Sequence, residues 1–270
     1  FNAQAGFLKA LIEAGNSFYP MLEALRIGET MAPRCIIAGN WKMNGLTAHI
    51  KSLAAPVAAH TSTVYRDGLE VIICPPAHLL HEIVAIGRDF VSAGAQDCHF
   101  KNSGAYTGDI SADMIHDTGA RYVIVGHSER RQYHQESSTF VAQKADAALK
   151  ADLTPIICIG ELLEEREGGK TEAVLKQQIA ESIPSAANAT NAIIAYEPVW
   201  AIGTGKVATP EQVRETHAYI ASLLPKGMPI LYGGSVKPDN AREILSIPHV
   251  SGVLVGGASL KADDFNAIID

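Results

Sequence analysis

Eight short runs of apolar residues recur along the chain, and each is followed by a longer amphipathic stretch. The runs are rich in Val, Ile, Leu and Ala and do not alternate with polar residues, as expected of parallel strands buried on both faces. Successive runs start 19 to 37 residues apart, which leaves room for a strand and a crossover helix. The predicted strands cover residues 35–38, 71–74, 90–95, 122–125, 155–159, 192–196, 229–232 and 252–255.

Helix start signals lie between several of these runs. Thr209 precedes Pro210, a capping residue followed by a proline suited to the first helical position, and residues 237–240 similarly precede a predicted helix over 241–245. Eight alternating strands and helices allow a closed barrel or an open doubly wound sheet. The chain has no strand–Gly-x-Gly-x-x-Gly–helix fingerprint, and polar residues follow strands all around the set. We therefore expect an α/β fold, a TIM (β/α)8 barrel.

Residues 1–30 do not belong to this repeat. Apolar residues recur at helical spacing over 7–12 and 21–25, interrupted by Gly15 and Pro20, which predicts two short amphipathic helices. We expect an N-terminal extension over 1–30 that packs on the barrel, or alternatively a docking or oligomerisation element. The catalytic barrel is expected over 31–270, with Met31 as a candidate natural start.

Composition and charge narrow the classes of partner. The 270 residues are 47% hydrophobic and carry a formal net charge of −7, which favours a packed core and argues against a nucleic-acid binder. No apolar stretch reaches the roughly 18 residues that span a membrane. The four cysteines lack CxxC spacing and mostly lie in apolar runs. We expect reduced thiols and a cytoplasmic protein that binds neither nucleic acid nor membrane.

Polar residues with catalytic potential follow three of the predicted strands. Asn40 and Lys42 follow the first strand, His127 and Glu129 the fourth, and Glu197 the sixth. Barrel enzymes carry their chemistry on the face formed by the carboxyl ends of the strands. Each residue alone has an ordinary explanation, such as a hydrated lysine or a hydrogen-bonded core histidine. Together they predict a site that combines an amide, an ammonium, an imidazole and a carboxylate.

Glycine pairs follow the last two strands, in Gly233-Gly234-Ser235 and in Gly256-Gly257. Glycines allow backbone N–H groups to approach an anion closely, and the last two loops of this fold often bind phosphate. The alternative is two tight turns without a ligand.

A hydrophobic segment that contains one of the two tryptophans follows Glu197, which suits a lid that excludes water. A static buried loop is the alternative. The segment comprises Pro198, Val199, Trp200, Ala201, Ile202, Gly203, Thr204, Gly205 and Lys206.

Residues 38–45, 125–131, 195–205 and 231–236 resemble the signature motifs of the triosephosphate isomerase family, in consistent order from about Arg34 to the C-terminus. The resemblance implies interconversion of dihydroxyacetone phosphate and D-glyceraldehyde 3-phosphate through an enediolate, in glycolysis and gluconeogenesis, without a metal or another cofactor. It implies Glu197 as the base, and His127 as a neutral electrophile whose pKa is lowered by a helix N-terminus. It also implies positive charge from Lys42, a hydrogen bond from Asn40, and a supporting or proton-shuttling role for Glu129.

The same resemblance implies a phosphate site and a homodimer. The phosphate would bind the backbone of Gly203, Ser235, Gly256 and Gly257. Thr107 would lie on a loop that enters the active site of a second copy. Asp109 stands where the family usually has Glu, which puts an intersubunit pair with Arg130 in question.

Two other functions deserve comparison with isomerisation. A phosphosugar-binding or scaffold protein could keep the barrel and lose turnover, but the set of Asn40, Lys42, His127 and Glu197 argues against it, since a binder needs no base. A Schiff-base aldolase would need a reactive lysine, and Lys42 is expected to be paired with carboxylates.

Overall fold

Eight parallel strands close into a barrel in the computed structural model, which describes residues 34–87, 89–202 and 207–270. The predicted extension over 1–30 lies outside the described residues. All eight predicted strands are present, with ends that differ from the predicted ones by up to two residues. They are β1 (Cys35–Asn40), β2 (Leu69–Cys74), β3 (Val91–Ala95), β4 (Tyr122–Val125), β5 (Thr154–Ile159), β6 (Ile193–Tyr196), β7 (Ile230–Tyr232) and β8 (Gly252–Val255).

Helices connect the strands and cover the outside of the barrel. The α-helices of the described residues are α1 (Ala55–Val64), α2 (Leu80–Gly87), α3 (Ala112–Asp117), α4 (Ser128–Tyr133), α5 (Ser138–Lys150), α6 (Leu163–Glu167), α7 (Thr171–Ser182), α8 (Pro210–Leu223), α9 (Ala241–Leu245) and α10 (Ala262–Ile269). One π-helical segment, Ile50–Ala54, precedes α1. Short 3₁₀ segments occur at Ala77–Leu79, Val199–Ala201 and Gly257–Leu260.

In every strand except β3, alternate residues enter two different hydrophobic clusters. Ile36 and Ala38 of β1 join the cluster inside the barrel, whereas Ile37 between them joins the larger cluster between the sheet and the helices. Both faces of a strand are therefore buried, which explains why the strands appear in the sequence as continuous apolar runs. Register pairs Ile37 with Val71 of β2 and with Val253 of β8, so the first and last strands complete the closure.

The predicted helix start at Thr209 is confirmed by its geometry. The Thr209 hydroxyl accepts the Gln212 N–H, and the Gln212 side chain accepts the Thr209 N–H, with Pro210 at the first helical position. α9 also begins where predicted, but its N-cap, Asn240, makes no capping bond to the helix. The Asn240 side chain instead bonds Lys237 N and Ser235 O, because it holds the loop after β7.

Three of the four cysteines, Cys74, Cys98 and Cys158, are buried free thiols, as the apolar context predicts, while Cys35 is partly exposed. Phe90 was expected in the third strand, but β3 begins one residue later and Phe90 is 39% exposed. In the part of the chain that the structure describes, no helix is long and apolar enough to cross a membrane.

Candidate active site

A cavity of about 670 Å³ lies at the carboxyl ends of the strands. Its lining brings together residues that follow β1, β4, β6, β7 and β8, which are far apart in sequence. The predicted residues among them are Asn40, Lys42, His127, Glu197, Ala201, Ile202, Ser235, Gly256 and Gly257. Glu129 is not part of this lining but contacts it through Lys42.

The Glu197 carboxylate is 2% exposed and follows β6 directly. Its Oε2 accepts the N–H of Ser128 at 3.0 Å, and its Oε1 lies 3.0 Å from Nε2 of His127. Burial alone would raise the pKa of Glu197, but His127, the Ser128 N–H and Lys42 lower it by more, so the pKa lies below its ordinary value. Glu197 is therefore ionised at neutral pH although it is buried.

Two glycines, Gly160 and Gly233, allow the neighbouring strand ends to approach Glu197 closely. A Cβ on Gly160, which follows β5, would lie 1.7 Å from the backbone oxygen of Glu197. A Cβ on Gly233, which follows β7, would lie 2.9 Å from Cγ of the Glu197 side chain. The strand ends on both sides of Glu197 therefore need glycine because the backbones approach too closely for a side chain.

His127 caps the short helix α4 with its ring. Nδ1 accepts the N–H of Glu129 at 3.2 Å, so the neutral ring carries its proton on Nε2, the nitrogen beside Glu197. The ring is buried, which lowers the pKa of His127, but the Glu197 carboxylate raises it by more, and the pKa lies above its ordinary value. In this arrangement the contact with Glu197 outweighs burial, and the lowering by the helix N-terminus that the resemblance implies stays a prediction.

Lys42 adopts a left-handed backbone conformation, with φ of 53°. Such a conformation is costly for a residue with a side chain and persists when its surroundings hold it. The Asn40 side chain accepts the Lys42 N–H at 3.0 Å, and the Gln96 amide donates to the Lys42 carbonyl at 2.9 Å. The Lys42 ammonium lies 2.5 Å from the Glu129 carboxylate. Asn40 and Gln96 thus hold the backbone of Lys42, and Glu129 orients its ammonium group.

The loops after β7 and β8 form another part of the cavity lining. Ser235, Gly256 and Gly257 line it, and the Asn240 amide fixes the Ser235 carbonyl at 3.1 Å. A Cβ on Gly257 would meet nothing within 4 Å, so this glycine borders open space. The fourth predicted phosphate residue, Gly203, lies outside the described residues.

The described part of the predicted lid, residues 198–202, is attached to Glu161. The Trp200 indole donates to Glu161 Oε1 at 3.0 Å, and the Val199 N–H donates to the Glu161 carbonyl at 3.1 Å. Glu161 is fully buried and also accepts from Arg166 at 3.0 Å. Thr204, Gly205 and Lys206, with Gly203, lie outside the described residues.

Thr107 lies in an exposed loop over residues 101–109, close to a second cavity of about 480 Å³. In this chain Asp109 faces His99 at 3.6 Å, while Arg130 pairs with Asp97 at 2.8 Å and with Glu136 at 2.7 Å. Arg130 therefore has carboxylate partners within its own chain, whatever Asp109 reaches.

Sequence reasoning missed several residues that support the site. The backbone N–H of Ser128 donates to Glu197. Ser128 lies in the motif over residues 125–131, but the sequence does not indicate where a backbone N–H points. Glu161 follows β5, so the rule that drew attention to the residues after β1, β4 and β6 could have found it. Gln96 follows β3 in the same way, and Gly160 precedes Glu161.

Comparison with known proteins gives one consistent result. The family model described as triosephosphate isomerase matches residues 35–270. Triosephosphate isomerase of Xanthomonas campestris pv. campestris (strain 8004) is 50% identical over 248 residues, which cover 87% of this chain and 96% of that protein. The protein of the same name from Ruegeria sp. (strain TM1040) is 51% identical over 243 residues, which cover 87% and 97%.

A solved structure agrees with these relatives. The crystal structure of triosephosphate isomerase from Bartonella henselae superposes with a TM-score of 0.81 at 48% identity, and covers 88% of this chain and 98% of that one. The resemblance, the barrel fold and the isomerase class predicted from the sequence are thus confirmed. The chain belongs to the triosephosphate isomerase family.

Proposed function

We propose that the chain interconverts dihydroxyacetone phosphate and D-glyceraldehyde 3-phosphate, a step of glycolysis and gluconeogenesis, with Glu197 as the base. The observation that carries this proposal is the pairing of a buried, ionised carboxylate with an imidazole N–H in one cavity. Moving a proton between adjacent carbons requires a base at the C–H and a donor at the oxygen that becomes negative.

His127 is the donor in this proposal. Because Nδ1 accepts the Glu129 N–H, the proton of the neutral ring lies on Nε2, which faces the cavity and contacts Glu197 Oε1 at 3.0 Å when no substrate is bound. A substrate carbonyl between Nε2 and Glu197 would receive that hydrogen bond, while the Glu197 carboxylate takes the proton from the adjacent carbon. Glu197 then gives this proton to the neighbouring carbon. The hydroxyl proton of the enediolate moves from one of its oxygens to the other beside Nε2 of His127.

Positive charge and backbone N–H groups hold the anionic substrate. Lys42 lies at the cavity and Asn40 is buried beside it, so these two are proposed to bind the substrate oxygens. The loops with Ser235, Gly256 and Gly257, together with Gly203, are proposed to bind the phosphate. Because the chain has a net charge of −7, attraction of a dianion must come from such local groups.

Residues 198–206 are proposed to act as a lid. The contacts of Val199 and Trp200 with Glu161 anchor its first part next to Glu197. Excluding water strengthens the electrostatic interactions in the cavity and protects an enediolate that would otherwise lose phosphate.

The enzyme is further proposed to be a cytoplasmic homodimer whose catalytic barrel comprises residues 31–270. The loop with Thr107 is exposed, and a cavity lined by Lys144 and Glu136 lies close to it. In the proposed dimer, the loop of one copy would contact the other copy in this region. Light scattering of the full chain, beside a chain that starts at Met31, tests both the dimer and the division at residue 30. A monomeric mass for both chains would contradict the dimer.

Glu197→Asp tests the role of the base. Because the substitution withdraws the carboxylate by one methylene, we expect kcat to fall roughly 100- to 1,000-fold, within the range for general-base catalysis, while KM changes much less. A coupled isomerase assay measures both constants. Glu172→Asp, an equal change at an exposed position of α7, is the control and should leave kcat unaltered. Equal turnover of Glu197→Asp and the original chain would remove Glu197 from this role.

A further inference from the structure

Arg131 joins the end of β4, which leads to His127, to the end of β5, which pairs with the strand that precedes Glu197. It lies in α4, four residues after His127, and its N–H bonds the His127 carbonyl at 3.1 Å. Its side chain is partly buried and uses four of its five N–H groups. It does not line the cavity, so it can act on the substrate only through other residues.

The Arg131 side chain bridges β4 and β5 just beyond their ladder. The last registered pair of these strands is Val125 with Ile157. Nε of Arg131 donates to the Gly126 carbonyl at 2.9 Å, and Nη2 donates to the Cys158 carbonyl at 3.0 Å. These two carbonyls belong to the residues that directly follow the last pair, so the guanidinium continues the link between the strands where the ladder stops.

One bridged strand end continues into His127, and the other is hydrogen-bonded to the backbone of Glu197. Gly126 precedes His127, and its φ of 69° turns the chain toward the cavity. Cys158 precedes Ile159, whose carbonyl accepts the Glu197 N–H at 2.8 Å. Arg131 therefore sets the spacing between the segment of His127 and the segment that holds the Glu197 backbone.

Two hydroxyl groups fix the guanidinium from behind. Nη2 donates to Ser182 Oγ and Nη1 to Ser138 Oγ, both at 3.1 Å, and Ser182 is fully buried. In the described ranges no carboxylate lies within 4 Å of this cation, so all four acceptors are uncharged oxygens. The planar fork of an arginine can satisfy acceptors in four directions at once, which the single ammonium of a lysine cannot.

We propose that Arg131 is a positioning residue for the reaction, which ties the end of β4 to the end of β5 and so keeps the backbone segments of His127 and Glu197 at the spacing that the reaction needs. The inference rests on the proposed function of that pair. A displacement of about 1 Å between reacting groups lowers turnover by roughly 100-fold. A misplaced pair loses turnover more than binding, because Ser235, Gly256 and Gly257, which are proposed to hold the phosphate, lie in the loops after β7 and β8.

Arg131→Met removes all four side-chain bonds and tests the proposal. We expect kcat to fall by roughly 100-fold with KM within about threefold of the original value. Arg131→Lys keeps the charge and loses the fork, and its kcat should stay at least about tenfold below the original. Guanidinium ion, added to Arg131→Gly at a concentration that leaves the protein folded, should restore part of kcat. The control is Arg214→Met on the exposed face of α8, where the arginine pairs with Glu211.

A second readout does not need activity. Nitrogen-15 NMR of the His127 ring reports whether Nδ1 still accepts the Glu129 N–H and Nε2 still faces Glu197, and both ring signals should move in Arg131→Met. If Arg131→Met fails to fold, Ser182→Ala removes one anchor without removing the charge, and a fall of about threefold or more in kcat is expected. If Arg131→Met folds, unaltered kcat together with unaltered ring signals would overturn the proposal. If it does not fold, unaltered kcat in Ser182→Ala would overturn it. Inactivity of the original chain would instead overturn the proposed function.

Discussion

On the side of the cavity formed by β4, β5 and β6, charged side chains face the substrate space, and their distances are set by bonds at 3.0 Å between His127, Ser128 and Glu197. On the side formed by β7 and β8, the lining includes Ser235, Gly256 and Gly257, and Gly257 borders open space. The first side holds the proposed base and its proposed hydrogen-bond donor. The second side holds the glycines that are proposed to bind the phosphate through backbone N–H groups. The two sides should therefore respond differently to the same substitution.

Gly160→Ala should have the largest effect, and it acts on the β4–β6 side. The new Cβ would lie 1.7 Å from the Glu197 carbonyl oxygen, and the obstacle is backbone that cannot rotate away. We expect a loss of roughly 4 kcal/mol in the free energy of unfolding, more than most overpacking substitutions cause. Urea denaturation measures this loss.

The soluble fraction of Gly160→Ala should also have a lower kcat, because β5 and β6 must separate beside Glu197. Gly169→Ala in the turn after α6 is a control for added volume, since nothing lies within 4 Å of its Cβ, although its φ of 68° adds a small strain. Equal stability of Gly160→Ala and the original chain would contradict the close approach of β5 to Glu197.

The two sides also differ in the histidine that each one buries. His127 faces Glu197, whereas His217 of α8 packs behind β6 and β7 against the rings of Tyr196 and Tyr232. The His249 carbonyl oxygen lies 3.3 Å from Nδ1 of the His217 ring. Burial lowers the pKa of His217 from 6.5 to about 4, outweighing that bond. The pKa of a buried histidine is therefore raised at position 127 and lowered at position 217.

His217 should make the fold sensitive to acid. Its pKa is lower in the folded protein, so the unfolded chain binds the proton first as the pH falls below 6.5. Stability is then lost between pH 6.5 and about 4, and the loss attributable to His217 should reach about 2 kcal/mol by pH 5. Urea denaturation at pH 7 and pH 5 measures it. His217→Gln should lose about 2 kcal/mol less than the original chain over this interval, and equal losses would contradict the assignment.

The strands and most of the site were predictable from the sequence for the same reason. A strand buried on both faces is a continuous apolar run, and the polar residue that ends such a run, such as Asn40 or Glu197, lies at the carboxyl end where barrels carry their chemistry. The positions of residues after strands are fixed by topology alone. This is why residues far apart in the chain could be assigned to one cavity.

The interactions within the site were less predictable. The pKa of His127 depends on a 3.0 Å contact with a residue 70 positions away, and the sequence carries no such distances. Gly160 and Gly257 are both glycines that follow strands, yet one excludes a side chain by contact and the other borders open space. The left-handed conformation of Lys42 likewise depends on Gln96, which follows a different strand.

Gly257→Ala should have the smallest effect, and it completes the comparison on the β7–β8 side. A Cβ on Gly257 meets no atom within 4 Å, so the free energy of unfolding should change by less than about 0.5 kcal/mol. If the open space beside Gly257 holds the phosphate, the added methyl group enters it and KM should rise about tenfold, equivalent to about 1.4 kcal/mol, with kcat little altered. Steady-state kinetics and urea denaturation of the same preparation measure both effects. An unchanged KM would place the phosphate elsewhere, whereas a fall in kcat equal to that of Glu197→Asp would show that the two sides of the cavity do not divide binding from chemistry.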